Sequence, residues 1–192
     1  MGELQTRHLS EPAATHAHLE HFFNQHTQRW QRAGFHSQFD DPAQREFFQR
    51  LTDTLGSRGW LRFSTVSVGE QMLAYHFGFD YGGRLTWYKP AFNPRYADHS
   101  PGLVLIQALI QEALRTGRDE FDLTVGAEPF KLRFSNLVRS NAYVSVFHGR
   151  GRYTVAMALH YLRALARSIV RPVRGKWRAL RAGSRSMKQL KQ

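Results

Sequence analysis

Residues 84–125 read RLTWYKPAFNPRYADHSPGLVLIQALIQEALRTGRDEFDLTV. The stretch opens on RLTWYK (84–89) and closes on EFDLTV (120–125), two runs of mixed apolar, aromatic and β-branched residues that predict strands. Between them, PGLVLIQALIQEALRTG (101–117) predicts a helix. Pro101 suits its first turn and Gly117 its C-terminal stop. Strand, helix and strand in this order predict a parallel pair.

Upstream, WLRFSTVSV (60–68) and MLAYHFGF (72–79) read as strands that join RLTWYK through short turns at Gly69-Glu70 and Tyr81-Gly82-Gly83, an antiparallel meander. Leu19, Phe22, Phe23, His26 and Trp30 recur at three- and four-residue spacing, which predicts a helix over 15–33 with one aromatic face. A second helix is expected over 42–55, after the Asp40-Asp41 cap. Downstream, a short helix around Glu128 to Phe134, a strand over AYVSVFHG (142–149) and a helix running to about Val170 are expected, with a break at Pro172. The fold class is α/β: a mixed sheet in which an antiparallel meander precedes a β-α-β parallel pair, flanked by helices. Residues 1–14 read as a flexible N-terminus, 15–150 as the domain, and 151–192 as a basic helix and tail.

With 42% hydrophobic residues, the chain has enough apolar material for a core. It has no cysteine, which removes disulfides, thiolate metal sites and a cysteine nucleophile. No signal peptide is read in residues 1–20, and no apolar run approaches the ~20 residues of a spanning helix. The expected location is cytoplasmic. The net charge of +12 is not spread evenly: all 15 acidic residues, the last being Glu128, and 15 of the 27 cations precede Arg150. The excess therefore belongs to the last segment.

Three features bear on chemistry. Ser100-Pro101-Gly102 opens a helix, where unpaired N–H groups and the helix dipole favour an anion, and Gly102 permits close approach. Asp122, Glu128 and Lys131 gather at the end of the second parallel strand, where they line a cleft or face solvent. His16, His18, His21 and His26 are spread around their helix with no carboxylate-histidine motif, so no metal site is read.

The blocks HFFNQHTQRW, GRLTWYKPAFNPRYADHSPGLVL and FDLTVGAEPFKLRF, at their spacing over residues 15–136, resemble the GNAT acyltransferase superfamily. The likeness is greatest to its FemAB-like, CelD-like branch, in its C-terminal half. That resemblance implies an acyl-CoA (acetyl-CoA) co-substrate lying between strands 84–89 and 120–125. Ser100, Gly102, Leu103 and Val104 would hold its pyrophosphate, and a backbone N–H near Tyr88 to Ala91 its thioester oxygen. Asp122 and Glu128 become candidate bases for an attacking amine, Lys131 a partner for a phosphate or a carboxylate, and His26 and Trp30 substrate-binding residues. The acceptor implied is an amine on a cell-envelope or exopolysaccharide precursor. Ala127 and Phe130 stand where the branch carries an acidic residue and a tyrosine. Two alternatives stay open: a non-catalytic half that pairs with another GNAT-like domain or a membrane, and aminoacyl transfer of FemAB type. The basic tail, which interleaves cations with Leu162, Val170, Trp177 and Leu180, has three readings: it suits the inner face of a membrane best, then a solvated tail that aids solubility, and nucleic acid least.

Overall fold

The computed structural model describes residues 2–165. Two compact units divide the chain, Met1–Leu137 and Val138–Gln192. The first begins with strand β1 (Leu4–Leu9), helix α1 (Pro12–Arg32), a 3-10 turn (Gln38–Asp40) and helix α2 (Pro42–Gly56). Strands β2 (Leu61–Val68), β3 (Gln71–Tyr81) and β4 (Arg84–Phe92) follow, then a 3-10 turn (Pro94–His99), helix α3 (Pro101–Arg115) and strand β5 (Glu120–Asp122). A last 3-10 turn covers Lys131–Arg133. The strands form one sheet in chain order, antiparallel from β1 to β4, with β5 parallel to β4. This is the α/β class, meander and parallel pair that the sequence predicts.

The sheet is covered on both faces. Thr15, Leu19, Phe22, Phe23 and His26 are the buried residues of α1, spaced so that one helical stripe meets the sheet. With Phe39 and Phe48 they pack on Leu61, Phe63, Tyr75 and Phe77. On the other face, Leu105, Ile106, Leu109 and Ala113 of α3 pack on Val66, Ala74, Leu85 and Trp87. Asp41 caps α2 by accepting from the Ala43 N–H at 2.9 Å, and Pro42 occupies its first turn, where a missing N–H costs nothing.

Three elements differ from the sequence-based expectations. Residues 4–9, expected to be flexible, form an edge strand in register with β2 from Leu4↔Val68 to Leu9↔Phe63. Four of the six residues of LQTRHL are polar because an edge strand buries little of itself. Second, β5 stops at Asp122 rather than Val125. The Asp122 Oδ1 accepts the Thr124 N–H at 2.7 Å, and Thr124 adopts a left-handed φ of 61°, so the extended run ends there. Third, residues 142–147 carry no strand; a strand needs a ladder partner, and Tyr143, Val144 and Val146 stand exposed. In the second unit, residues 150–165 are helical (α4 here), and the expected continuation to Val170 and the break at Pro172 lie outside the described residues.

Candidate active site

The parallel pairing of β4 and β5 lasts three residues: Arg84↔Glu120, Leu85↔Phe121 and Thr86↔Asp122. Beyond Thr86, β4 runs on to Phe92 paired only with β3, while the other chain turns away at Thr124. The strands therefore part, and α3 begins past the end of β4. The two non-glycine residues with positive φ among those described, Ser100 (φ 51°) and Thr124 (φ 61°), follow the ends of β4 and β5. A left-handed conformation costs such residues ~1 kcal/mol or more, and residues of this kind cluster where a site is shaped.

The bulge in β4 sits at the same place. The β3–β4 register slips between Phe77↔Lys89 and Phe79↔Thr86, so Gly78 faces an extra residue on β4. His76, fully buried, fills the bulge. Its ring stacks on Trp87 with centroids 4.9 Å apart, and its Nε2 accepts the Tyr88 N–H at 3.2 Å. Burial lowers its pKa to about 3, so the ring is neutral. The Tyr88 N–H is thus already used and Pro90 has none. Lys89 and Ala91 stand opposite Phe77 and Tyr75 in the β3–β4 ladder, with their N–H groups turned to β3 like that of Asn93, so the Tyr88 N–H is the one in the stretch expected to hold a thioester oxygen that is not committed to the ladder. The Tyr88 ring packs against Phe48 and Phe79.

At the α3 start, the Leu103 and Val104 N–H groups both donate to the Ser100 carbonyl, at 2.8 and 3.4 Å. Ser100 itself is exposed and its side chain does not cap the helix. A Cβ on Gly102 would meet only the Phe92 ring, at an ordinary 3.8 Å. The fold itself therefore tolerates a side chain at this position.

The charged residues divide into two groups. Glu120 and Asp122 alternate out of β5 on the side of Arg84, whose guanidinium lies 3.2 Å from Glu120 and 3.9 Å from Asp122. Arg84 and Thr86 also line a groove of about 400 Å³ with Leu51, Leu55, Trp60 and Phe79, on the α2 face of the sheet. Asp122 thus stands beside an opening. Lys131 instead is buried and spends its ammonium on its own loop: Glu128 Oε2 at 2.8 Å, the Val125 carbonyl at 3.1 Å and the Thr124 carbonyl at 3.4 Å. Three donors meet three acceptors. Hydrogen bonding from Lys131 holds the Glu128 carboxyl below its usual pKa, which makes it a weaker base than an unpaired carboxylate. Phe130 packs against the α3 layer.

His26 and Trp30 belong to the α1 face. The Trp30 indole N–H donates to His26 Nε2 at 3.0 Å, so His26 carries its proton on Nδ1, which lies 2.8 Å from the Ser37 hydroxyl. Both ring nitrogens of His26 are engaged, and the part-exposed Trp30 indole is the surface that a ligand could touch. Among the described residues, no group of three or more His, Asp or Glu is placed to hold a metal ion. Sequence reasoning missed Arg84 and His76. The glycine inside the strand MLAYHFGF was a usable sign of the bulge, and so of His76.

A mixed sheet whose parallel strands part just before a helix start is the frame of an acyl-CoA-dependent transferase fold. The family model described as Acetyltransferase (GNAT) domain matches residues 1–132. The chain belongs to this GNAT acetyltransferase family, whose members are usually enzymes. No curated protein matches it in sequence. Among solved structures, it is similar to the PaiA N-acetyltransferase of Thermoplasma acidophilum in complex with coenzyme A: 14% identity, TM-score 0.51, over 69% of this chain and 86% of that one. It is similar too to a ribosomal-protein-alanine N-acetyltransferase from Brucella melitensis biovar Abortus 2308, with 13% identity, TM-score 0.51, and 76% and 100% of the two chains covered. A transcriptional regulator from Bacillus halodurans C-125 matches at 16% identity and TM-score 0.51, with 76% and 100% covered. At these identities the likeness is one of fold.

Proposed function

We propose that this chain is an N-acyltransferase that moves an acyl group, acetyl in the simplest case, from a CoA thioester to an amine. The observation that carries the reading is the parting of β4 from β5 beyond Thr86 and Asp122, with the α3 start past the end of β4. An acyl-CoA laid in that opening meets the Gly102 N–H and the Ser100 hydroxyl with its pyrophosphate, aided by the α3 dipole. Leu103 and Val104 shape the turn through their bonds to Ser100 rather than touching the phosphates. The Tyr88 N–H, released from His76 Nε2, stabilises the oxyanion as the thioester carbonyl is attacked. The amine forms the new C–N bond, the C–S bond breaks, and the CoA sulfur leaves as thiolate. Asp122 takes the amine proton; Glu128 and Lys131 hold the loop behind it. The groove beside Arg84 and Trp60 receives the acceptor, on the finer reading a cell-envelope or exopolysaccharide precursor.

Calorimetric titration with acetyl-CoA tests the cofactor half. Saturable binding is expected, weakened at least ~10-fold by Gly102→Trp, with the unfolding midpoint of the free protein little changed because the position is open. No heat at millimolar ligand would remove the reading. The base is tested by Asp122→Asn, expected to lower kcat ~10²-fold while leaving the acetyl-CoA Kd unchanged. Full activity in that variant would take Asp122 out of the mechanism.

One observation favours a second reading, a non-catalytic member of the fold. The polar groups of the 126–131 turn are spent on each other, and Ala127 and Phe130 offer no proton to give or take. That reading predicts no binding of acetyl-CoA and a stable complex with another GNAT-like domain.

A further inference from the structure

In the second unit, α4 (residues 150–165) leaves apolar side chains in solvent: Tyr153, Val155, Leu159, Tyr161 and Leu162 are all exposed. A helix of this composition buries an apolar stripe against something. Arg152 and Arg163 are eleven residues apart, three helical turns, and His160 lies one turn before Arg163, so these three share one face, with Arg150 further round on the far side of His160. Val155, Leu159 and Leu162 fill an arc that holds no charge. No acidic residue follows Glu128, and the sequence beyond α4 adds nine more cations together with Trp177.

We propose that α4 binds an anionic lipid surface, lying in the plane of the interface. Its aliphatic and tyrosine side chains would enter the acyl boundary, and the Arg152–Arg163 stripe would meet the phosphate headgroups. Two features select a bilayer over a nucleic acid. Val155, Leu159 and Leu162 offer nothing to phosphates or base edges, whereas an interface rewards each buried methylene. Tyr161, at the border of the aliphatic arc, also suits the headgroup level. Among the described residues no helix is long and apolar enough to cross a membrane, so α4 lies on the surface rather than spanning it.

The test is flotation of the full chain with vesicles of phosphatidylcholine alone or with about one third phosphatidylglycerol. Binding is expected to the anionic vesicles, at least ~10-fold weaker to neutral ones, and reduced by high salt. The double variant Leu159→Asp, Leu162→Asp should lose binding ~10-fold or more, with an unchanged circular dichroism spectrum and thermal midpoint, because both positions are exposed. Equal binding to neutral vesicles would overturn the electrostatic half. Full binding by the double variant would overturn the inserted face. Absence of vesicle binding alongside salt-sensitive binding to a mixed RNA would replace the bilayer with nucleic acid. None of these outcomes depends on whether the chain turns over acyl-CoA.

Discussion

Acidification from pH 7 to pH 5 is expected to remove about 4 kcal/mol of folding stability, through two buried imidazoles. Burial lowers the His26 pKa to about 4, helped by the nearby Arg29 and Lys89 cations and opposed by Asp40. Burial takes His76 to about 3. An unfolded chain holds both near 6.5. Below that pH the unfolded state therefore binds protons that the folded state refuses, and stability falls. The loss develops from pH 6.5 down to about 4 for His26 and about 3 for His76. Each group contributes ~1.4 kcal/mol per pH unit within its window. Glu112 and Glu128, both held below their usual values by hydrogen bonds from Arg115 and Lys131, act in the same direction but only near and below ordinary carboxylate pH. Urea midpoints measured between pH 7.5 and 5 separate the two sources. His26→Gln should remove about half of the slope that His26 and His76 carry between pH 6 and 5; His8 and His18, whose pKa values burial also lowers, add loss in the same direction. An unchanged slope in that variant would take His26 out of the acid loss.

That two histidines sit neutral in the core was not readable from their spacing, and the reason extends to the rest of the site. Period and punctuation are local: helical spacing from Leu19 to His26, Pro101 before α3, glycines at the hairpin turns. These predicted the helices, the meander and the parallel pair to within a few residues. β1 escaped because LQTRHL takes its order from a neighbour 54 to 64 residues away, through pairs such as His8↔Ser64 and Leu9↔Phe63, and not from its own pattern. The strand expected at 142–149 failed for the converse reason, an alternating pattern with no ladder to join. At the candidate site, sequence located the residues but not their partners. Asp122, Glu128 and Lys131 read as one cluster. In the fold, Asp122 faces Arg84 across the sheet while Glu128 and Lys131 close a loop. Which carboxylate keeps a free lone pair is a matter of hydrogen bonds that no spacing encodes.

Gly78→Ala should be the most damaging small substitution in the sheet, costing about 4 kcal/mol. Gly78 has an ordinary strand conformation, so the objection to alanine is space and not backbone angle. A Cβ there would overlap the His76 imidazole and the Thr86 carbonyl oxygen. The Thr86 oxygen is backbone at the last paired position of β4 with β5 and cannot move without opening that pair. His76 can move only by leaving its stack on Trp87 and the Tyr88 N–H. Overpacking alone costs ~1–3 kcal/mol. An orphaned buried N–H adds ~1–3 kcal/mol more. If the imidazole is what the methyl meets first, His76→Ala makes room for it, and the double variant Gly78→Ala, His76→Ala should lose at least ~1 kcal/mol less than the two single losses together. Denaturant midpoints of the four proteins give that coupling directly. Strict additivity would mean that the Thr86 carbonyl, and with it the β4–β5 junction, bears the strain instead. In that case Gly78→Ala should also weaken acetyl-CoA binding, because it would alter the parting of the strands on which the proposed site depends.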